Sequence, residues 1–191
     1  DRLVTDSADI AVSFVRPDRL SVKAYKATVY SDGRRFRAWI RDEDTNDLDG
    51  QMIDRPAPAR LSLRDLFSDP LLQDQMSNAV LHAEAGRTPI QLELLLADDD
   101  LELLADSTIG KRIRGEETVD GRRCHRLELT TPRGLFLMWI DSADYVLRKL
   151  VYPREALIPA LANAEHVQDA RLTAHFRDAL LDDPERTPQF S

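Results

Sequence analysis

Hydrophobic and polar positions alternate along much of this chain, and the alternation predicts strands. Ile10, Val12 and Phe14 share one face of an extended segment over 10–15, which Arg16-Pro17-Asp18 ends as a proline turn. Residues 21–30 and 34–41 flank Asp32-Gly33, a pair suited to a two-residue hairpin because both residue types tolerate positive φ. In the second of these strands Phe36, Ala38 and Ile40 face one way, and Arg35, Arg37, Trp39 and Arg41 the other. One face is dry and the other mostly wet.

The middle of the chain changes period. After an acidic loop from Asp42 to Asp49 come a short strand and Pro56-Ala57-Pro58, which end the first sheet segment. Ser62-Leu63-Arg64-Asp65 has the form of a capping box with Asp as the weaker partner, and Leu63, Leu66 and Phe67 fall at helical spacing behind it. A second helix starts near Asp69-Pro70, with Leu72, Met76 and Val80 at four-residue steps, and a third apolar segment runs from Ile90 through Leu96 towards Leu104. These helices are expected to form a layer on one sheet face.

From Ile113 the strand pattern returns. Asp120-Gly121 and Pro132-Arg133-Gly134 mark turns around a strand over 122–130, and Asp141-Ser142-Ala143-Asp144 leads into another over 145–152. Leu135 to Ile140 is apolar on both faces, as in a central strand covered on both sides. Pro159 interrupts the Ala-rich stretch over 153–168, which reads as a short helix or loop. Leu172, Ala174 and Phe176 then alternate with Arg171, Thr173, His175 and Arg177 in a last strand. The fold class is therefore α+β, an antiparallel sheet with a few short helices.

With 191 residues, 42% of them hydrophobic, one domain is the expectation. A formal net charge of -8 argues against binding nucleic acid or anionic membrane surfaces through clustered positive charge. Cys124 is the only cysteine, so no intramolecular disulfide forms. No apolar run approaches the roughly 20 residues of a transmembrane helix, and no signal sequence opens the chain. Either the protein is cytosolic or the sequence begins after an export signal.

Reactive chemistry finds little footing. His82, His125, His166 and His175 lack metal-ligand spacing, so no metal or other cofactor is expected. Cys124 and His125 are strand neighbours facing opposite ways, which makes Cys124 a buried structural thiol rather than a nucleophile. No Gly-x-Ser-x-Gly elbow, Ser-x-x-Lys or glycine-rich phosphate loop is present. The acidic loop offers oxygen ligands but misses the Gly and Glu register of a calcium hand, leaving a solvated loop or a weak ion site. Arg35, Arg37 and Arg41 beside Trp39 could contact lipid headgroups, but pairing with nearby carboxylates is the favoured reading.

The stretch Phe14-Val15-Arg16-Pro17-Asp18-Arg19-Leu20 with Ser31-Asp32-Gly33 resembles the opening of the bacterial lipoprotein-carrier superfamily, the LolA/LolB-like half-barrels. Further landmarks are Leu94-Leu95-Leu96-Ala97, Gly121 to Leu127, Leu137 to Asp141 and Arg148-Lys149-Leu150. The resemblance implies a strongly curved, unclosed antiparallel sheet with helices packed as a lid on its concave face. It also implies an exported, non-catalytic carrier of the periplasm or envelope, whose partner is the acyl chain of a lipoprotein or lipid. The lining would come from Phe14, Val22, Phe36, Ile40, Leu127, Leu129, Phe136, Met138, Leu172 and Phe176, with Leu66, Phe67, Leu72 and Met76 from the lid.

Each of these positions also reads as ordinary core. Burying roughly ten methylenes at about 0.8 kcal/mol each would supply about 8 kcal/mol before entropic costs. The family's opening helix and first strand have no counterpart before Ile10, so a chain trimmed at its N-terminus, or an edge strand pairing with a second copy, is expected. The resemblance is to planctomycete-type envelope proteins in particular, in which a thioredoxin-like module can follow, and it implies a boundary before such a domain at Pro188-Gln189-Phe190. Two alternatives stay open: an envelope protein-interaction or sensor module with a packed concave face, and a hydrolase assembled from distant residues.

Overall fold

The alternating segments pair with their sequence neighbours, giving two antiparallel meanders among the described residues. A computed structural model describes residues 10–24, 27–40, 52–62, 65–66, 95–96, 106, 108–132, 134–154 and 171–177. The chain divides into two compact units, Asp1–Asp98 with Pro188–Ser191, and Asp99–Thr187. Each carries one five-stranded sheet, and neither sheet closes on itself among the described strands.

The first sheet runs in chain order through β1 (Ile10–Val15), β2 (Arg19–Ala24), β3 (Ala27–Asp32), β4 (Arg35–Ile40) and β5 (Met52–Pro56). Its register aligns Val12, Val22, Val29, Ala38 and Ile53 in one cross-strand row. Cross-strand partners share a face, so this row is the spine of the first core. The next row on that face holds Phe14, Leu20, Ser31, Phe36 and Arg55. Leu61, Leu66 and Leu96 pack on these rows, while Val12 on the edge strand stays 41% exposed.

Two sequence expectations need correction here. Residues 21–30, read as one strand, are parts of β2 and β3, and the chain reverses between Ala24 and Ala27, which pair with each other. The hairpin turn lies at Gly33-Arg34 rather than Asp32-Gly33, since Asp32 belongs to β3 and Arg35 to β4. The Asp32 carboxylate accepts the N–H groups of Arg34 and Arg35 at 2.7 and 2.8 Å. Gly33 supplies the positive φ of 86° that the reversal requires.

The second sheet contains β6 (Gly110–Val119), β7 (Arg122–Thr131), β8 (Gly134–Asp141), β9 (Leu147–Val151) and β10 (Thr173–His175), with β8 at its centre. Asp120 and Gly121 both take positive φ, 49° and 78°, as a tight two-residue hairpin demands. Leu127 pairs with Met138 and Leu129 with Phe136, so these four share a face. The opposite face buries Val119, Cys124 and Trp139 against Leu137 and Val151. β8 is thus buried on both sides, as its doubly apolar sequence predicts. The register slips by one residue at Gly115 in β6 and at Arg148 in β9, where an extra residue bends the strand.

Helix appears among the described residues at Asp65-Leu66 and Leu95-Leu96. Half of the expected capping box forms: the Ser62 N–H donates to Asp65 Oδ2 at 2.9 Å, but the Ser62 hydroxyl donates to that same oxygen at 2.8 Å, and the Asp65 N–H donates to the Ser62 carbonyl at 3.0 Å. Phe67, Leu72, Met76, most of the second and third helical segments, the acidic loop and nearly all of the Ala-rich stretch lie outside the described residues. No helix among the described residues is long and apolar enough to cross a membrane.

Candidate functional site

The turn between β1 and β2 is held from two directions. Ser31, fully buried, donates its hydroxyl to the Asp18 carbonyl at 2.6 Å, and the Leu61 N–H donates to the Pro17 carbonyl at 3.1 Å. The second bond draws the segment after β5 alongside the end of β1, and the Ala57 N–H ties the same segment to the β3–β4 turn by donating to the Arg34 carbonyl at 2.9 Å. Leu61 buries its side chain in the first core, next to Leu96.

Where these pieces meet, Phe14, Arg16, Pro17, Arg60, Leu61, Leu95 and Leu96 line a cavity of about 200 Å³ within the first unit. Five of the seven are apolar. The two polar members are both arginines, and both are exposed. Among the described residues no carboxylate, histidine, hydroxyl or thiol lines the cavity, and what they offer is apolar burial beside positive charge.

The fourteen residues expected to line a lipid groove fall into separate places. Val22, Phe36 and Leu66 are buried in the first core with Phe14 packed against it, and only Phe14 of the described candidates lines the cavity. Leu129, Phe136 and Met138 are buried on one face of the second sheet, and Leu127, Leu172 and Phe176 are partly buried. Leu172 and Phe176 flank β10 and continue its ladder, the Leu172 carbonyl accepting from Tyr152 and the Phe176 N–H donating to Arg148. Phe136 meets Tyr152 edge-to-face at 5.8 Å. The side chain of Ile40, with Phe67, Leu72 and Met76, lies outside the described residues.

Sequence reasoning missed six of the seven cavity residues as lining. The Arg16-Pro17 turn was the available signal. Arg60, Leu61, Leu95 and Leu96 come to it only through long-range contacts that no local period announces.

The other suggestive groups are engaged within the protein. Arg35 donates to Asp54 at 2.6 Å, and Arg37 lies 3.7 Å from the same carboxylate, so the arginine stripe finds its acid on β5. Arg55 stacks 4.4 Å over the Phe36 ring and donates to Asp65 at 2.8 Å. On the second sheet the Trp139 indole N–H donates to Glu117 at 2.7 Å, with Lys149 and Arg126 against the ring face at 4.8 and 5.7 Å. That indole bond, followed by Arg126, holds the Glu117 carboxyl below its usual range.

Cys124 is fully buried, and burial followed by the Asp141 charge pushes its thiol above the ordinary value. A raised pKa and no exposure are the reverse of a reactive thiolate. His125 lies 3.5 Å from Glu116 and His175 lies 3.7 Å from Asp120. Among the described residues no three His, Cys, Asp or Glu side chains converge as a metal site. No family model, curated protein or solved structure matches this chain.

Proposed function

We propose that this chain is a non-catalytic carrier of the periplasm or cell envelope, sheltering the acyl chain of a lipoprotein or lipid. On this reading the sheet of the first unit is the curved, unclosed wall of a LolA/LolB-like half-barrel and the helical segments are the lid. The observation that carries the proposal is the cavity between the end of β1 and the helical pair Leu95-Leu96, where five of the seven described lining residues are apolar. At about 200 Å³ it accommodates roughly seven heavy atoms, taking liquid water's volume per molecule as the measure.

Seven methylenes at about 0.8 kcal/mol each give roughly 5–6 kcal/mol before the cost of association. A modest gain of that size suits a carrier that must release its cargo. Native mass spectrometry with organic extraction, on protein purified from a host with its envelope lipids present, tests the reading. Co-purifying fatty acid, phospholipid or lipopeptide is expected. A clean apo mass without binding of a fluorescent fatty-acid probe would overturn it.

A second reading is favoured by the packing of the first sheet. Val22, Val29, Phe36 and Leu66 are essentially inaccessible, which leaves no groove along either row among the described residues and suits a protein-interaction or sensor module. Retention of a specific envelope protein by a chain that binds no lipid would favour this reading.

A further inference from the structure

We infer that the cavity in the first unit selects a medium-chain fatty-acid carboxylate, with Arg16 and Arg60 as its head-group partners; this rests on the carrier reading above and narrows its ligand. The chain carries 34 acidic and 26 basic residues, yet both charged residues among the described lining of the cavity are basic. They come from distant points in the sequence, one at the end of β1 and one in the segment after β5, and the Leu61 to Pro17 hydrogen bond holds those segments together at 3.1 Å. Two exposed guanidinium groups beside an apolar cavity match an amphiphile whose tail enters and whose anion stays in water.

A guanidinium offers five N–H donors in a planar fork, so an arginine already engaged by the protein still has donors for a carboxylate. The net charge of -8 penalises each additional negative charge on the ligand, which favours a carboxylate monoanion over a phosphate dianion. Space for roughly seven heavy atoms below the rim corresponds to a fatty acid of about eight carbons.

Calorimetric titration of the full chain near neutral pH with straight-chain acids from butanoate to decanoate, with octanol and with octyl phosphate, tests this. Affinity is expected to rise about fourfold per methylene to roughly eight carbons and then level off. Octanoate is expected to bind at least ~10-fold more tightly than octanol, as a pair of charge-assisted hydrogen bonds implies. Arg60→Gln and Arg16→Gln, both exposed substitutions, should bring octanoate towards the octanol value while the melting temperature holds.

Equal binding of octanol and octanoate, tighter binding of octyl phosphate, or indifference of octanoate to both substitutions would overturn the carboxylate assignment and leave the carrier reading standing. Failure of every chain, charged or neutral, to bind would count against the carrier reading itself.

Discussion

Arg148 and Asp141 form an ion pair inside the second unit, Nε to Oδ2 at 3.2 Å, with side chains 7% and 4% exposed. Arg148 is the extra residue where β9 slips against β8, and its other guanidinium arm reaches Asp144. Asp141 also accepts from the Ala143 N–H at 2.9 Å and from Arg122 at 3.1 Å. Every oxygen of this buried carboxylate therefore has a donor, the condition under which a buried charge is tolerated.

Removing one member leaves the other buried without its main partner. Arg148→Met is expected to lower the melting temperature by on the order of 10 °C. Arg122→Met, which removes a 54% exposed partner of the same carboxylate, should cost about 2 °C or less. Calorimetric scans of the two variants beside the parent check the order.

The same carboxylate gives the stability a pH dependence of known sign. The Ala143 N–H first, then Arg122 and Arg148, hold the Asp141 carboxyl below its usual range against the opposing effect of burial. Asp32 and Asp65 are also held low, Asp32 by the Arg35 and Arg34 N–H groups, Asp65 by Arg55 and Ser62 against burial. A lowered folded-state pKa contributes stability that is complete above the unfolded value, about 4, and is lost as pH falls below it. Denaturant melts from pH 7 to pH 3 should be nearly flat above pH 5 and fall steeply below 4, with Asp141→Asn flattening the acid limb.

Gly33 and Gly121 separate two costs of a side chain at a turn. A Cβ on Gly33, at φ +86°, would lie 2.9 Å from Asp18 Oδ2, whereas one on Gly121, at φ +78°, meets nothing within 4 Å. Gly121→Ala should cost about 1 kcal/mol, the strain of the left-handed backbone alone. Gly33→Ala should cost about 1–2 kcal/mol more, unless the Asp18 carboxylate swings away. Equal costs in urea melts would show that Asp18 yields freely.

The turns were legible because their chemistry is local. Asp120-Gly121 announces a hairpin and makes one, and Asp32-Gly33 misplaces its turn by a single residue. The β2 to β3 reversal was not, because Tyr25-Lys26 carries no glycine, proline or asparagine to mark it. Arginine partners were half legible: alternation put Arg35 and Arg37 on the wet face, but their acid, Asp54, is identified by strand register rather than by closeness in sequence. The bulges at Gly115 and Arg148 follow from pairing over a whole hairpin, and the cavity from three segments far apart in the chain.

Packing on the second sheet gives a sharper contrast. Leu129 is fully buried beside Phe136, while Ile113 on the edge strand β6 is 71% exposed. Leu129→Ala should destabilise by about 2–5 kcal/mol and Ile113→Ala by less than about 0.5 kcal/mol. Similar losses in the two variants would place Ile113 in a buried interface.

The central claim is that an acyl chain occupies the cavity beside Phe14. The most direct test is equilibrium titration of a fluorescent fatty acid into the parent chain and into Phe14→Trp, whose larger ring takes up cavity space from a partly buried position. Saturable binding of one probe per chain is predicted, weakened at least ~10-fold by the substitution while the melting temperature stays within about 3 °C of the parent. No saturable binding to the parent, or equal binding to both proteins, would contradict the account.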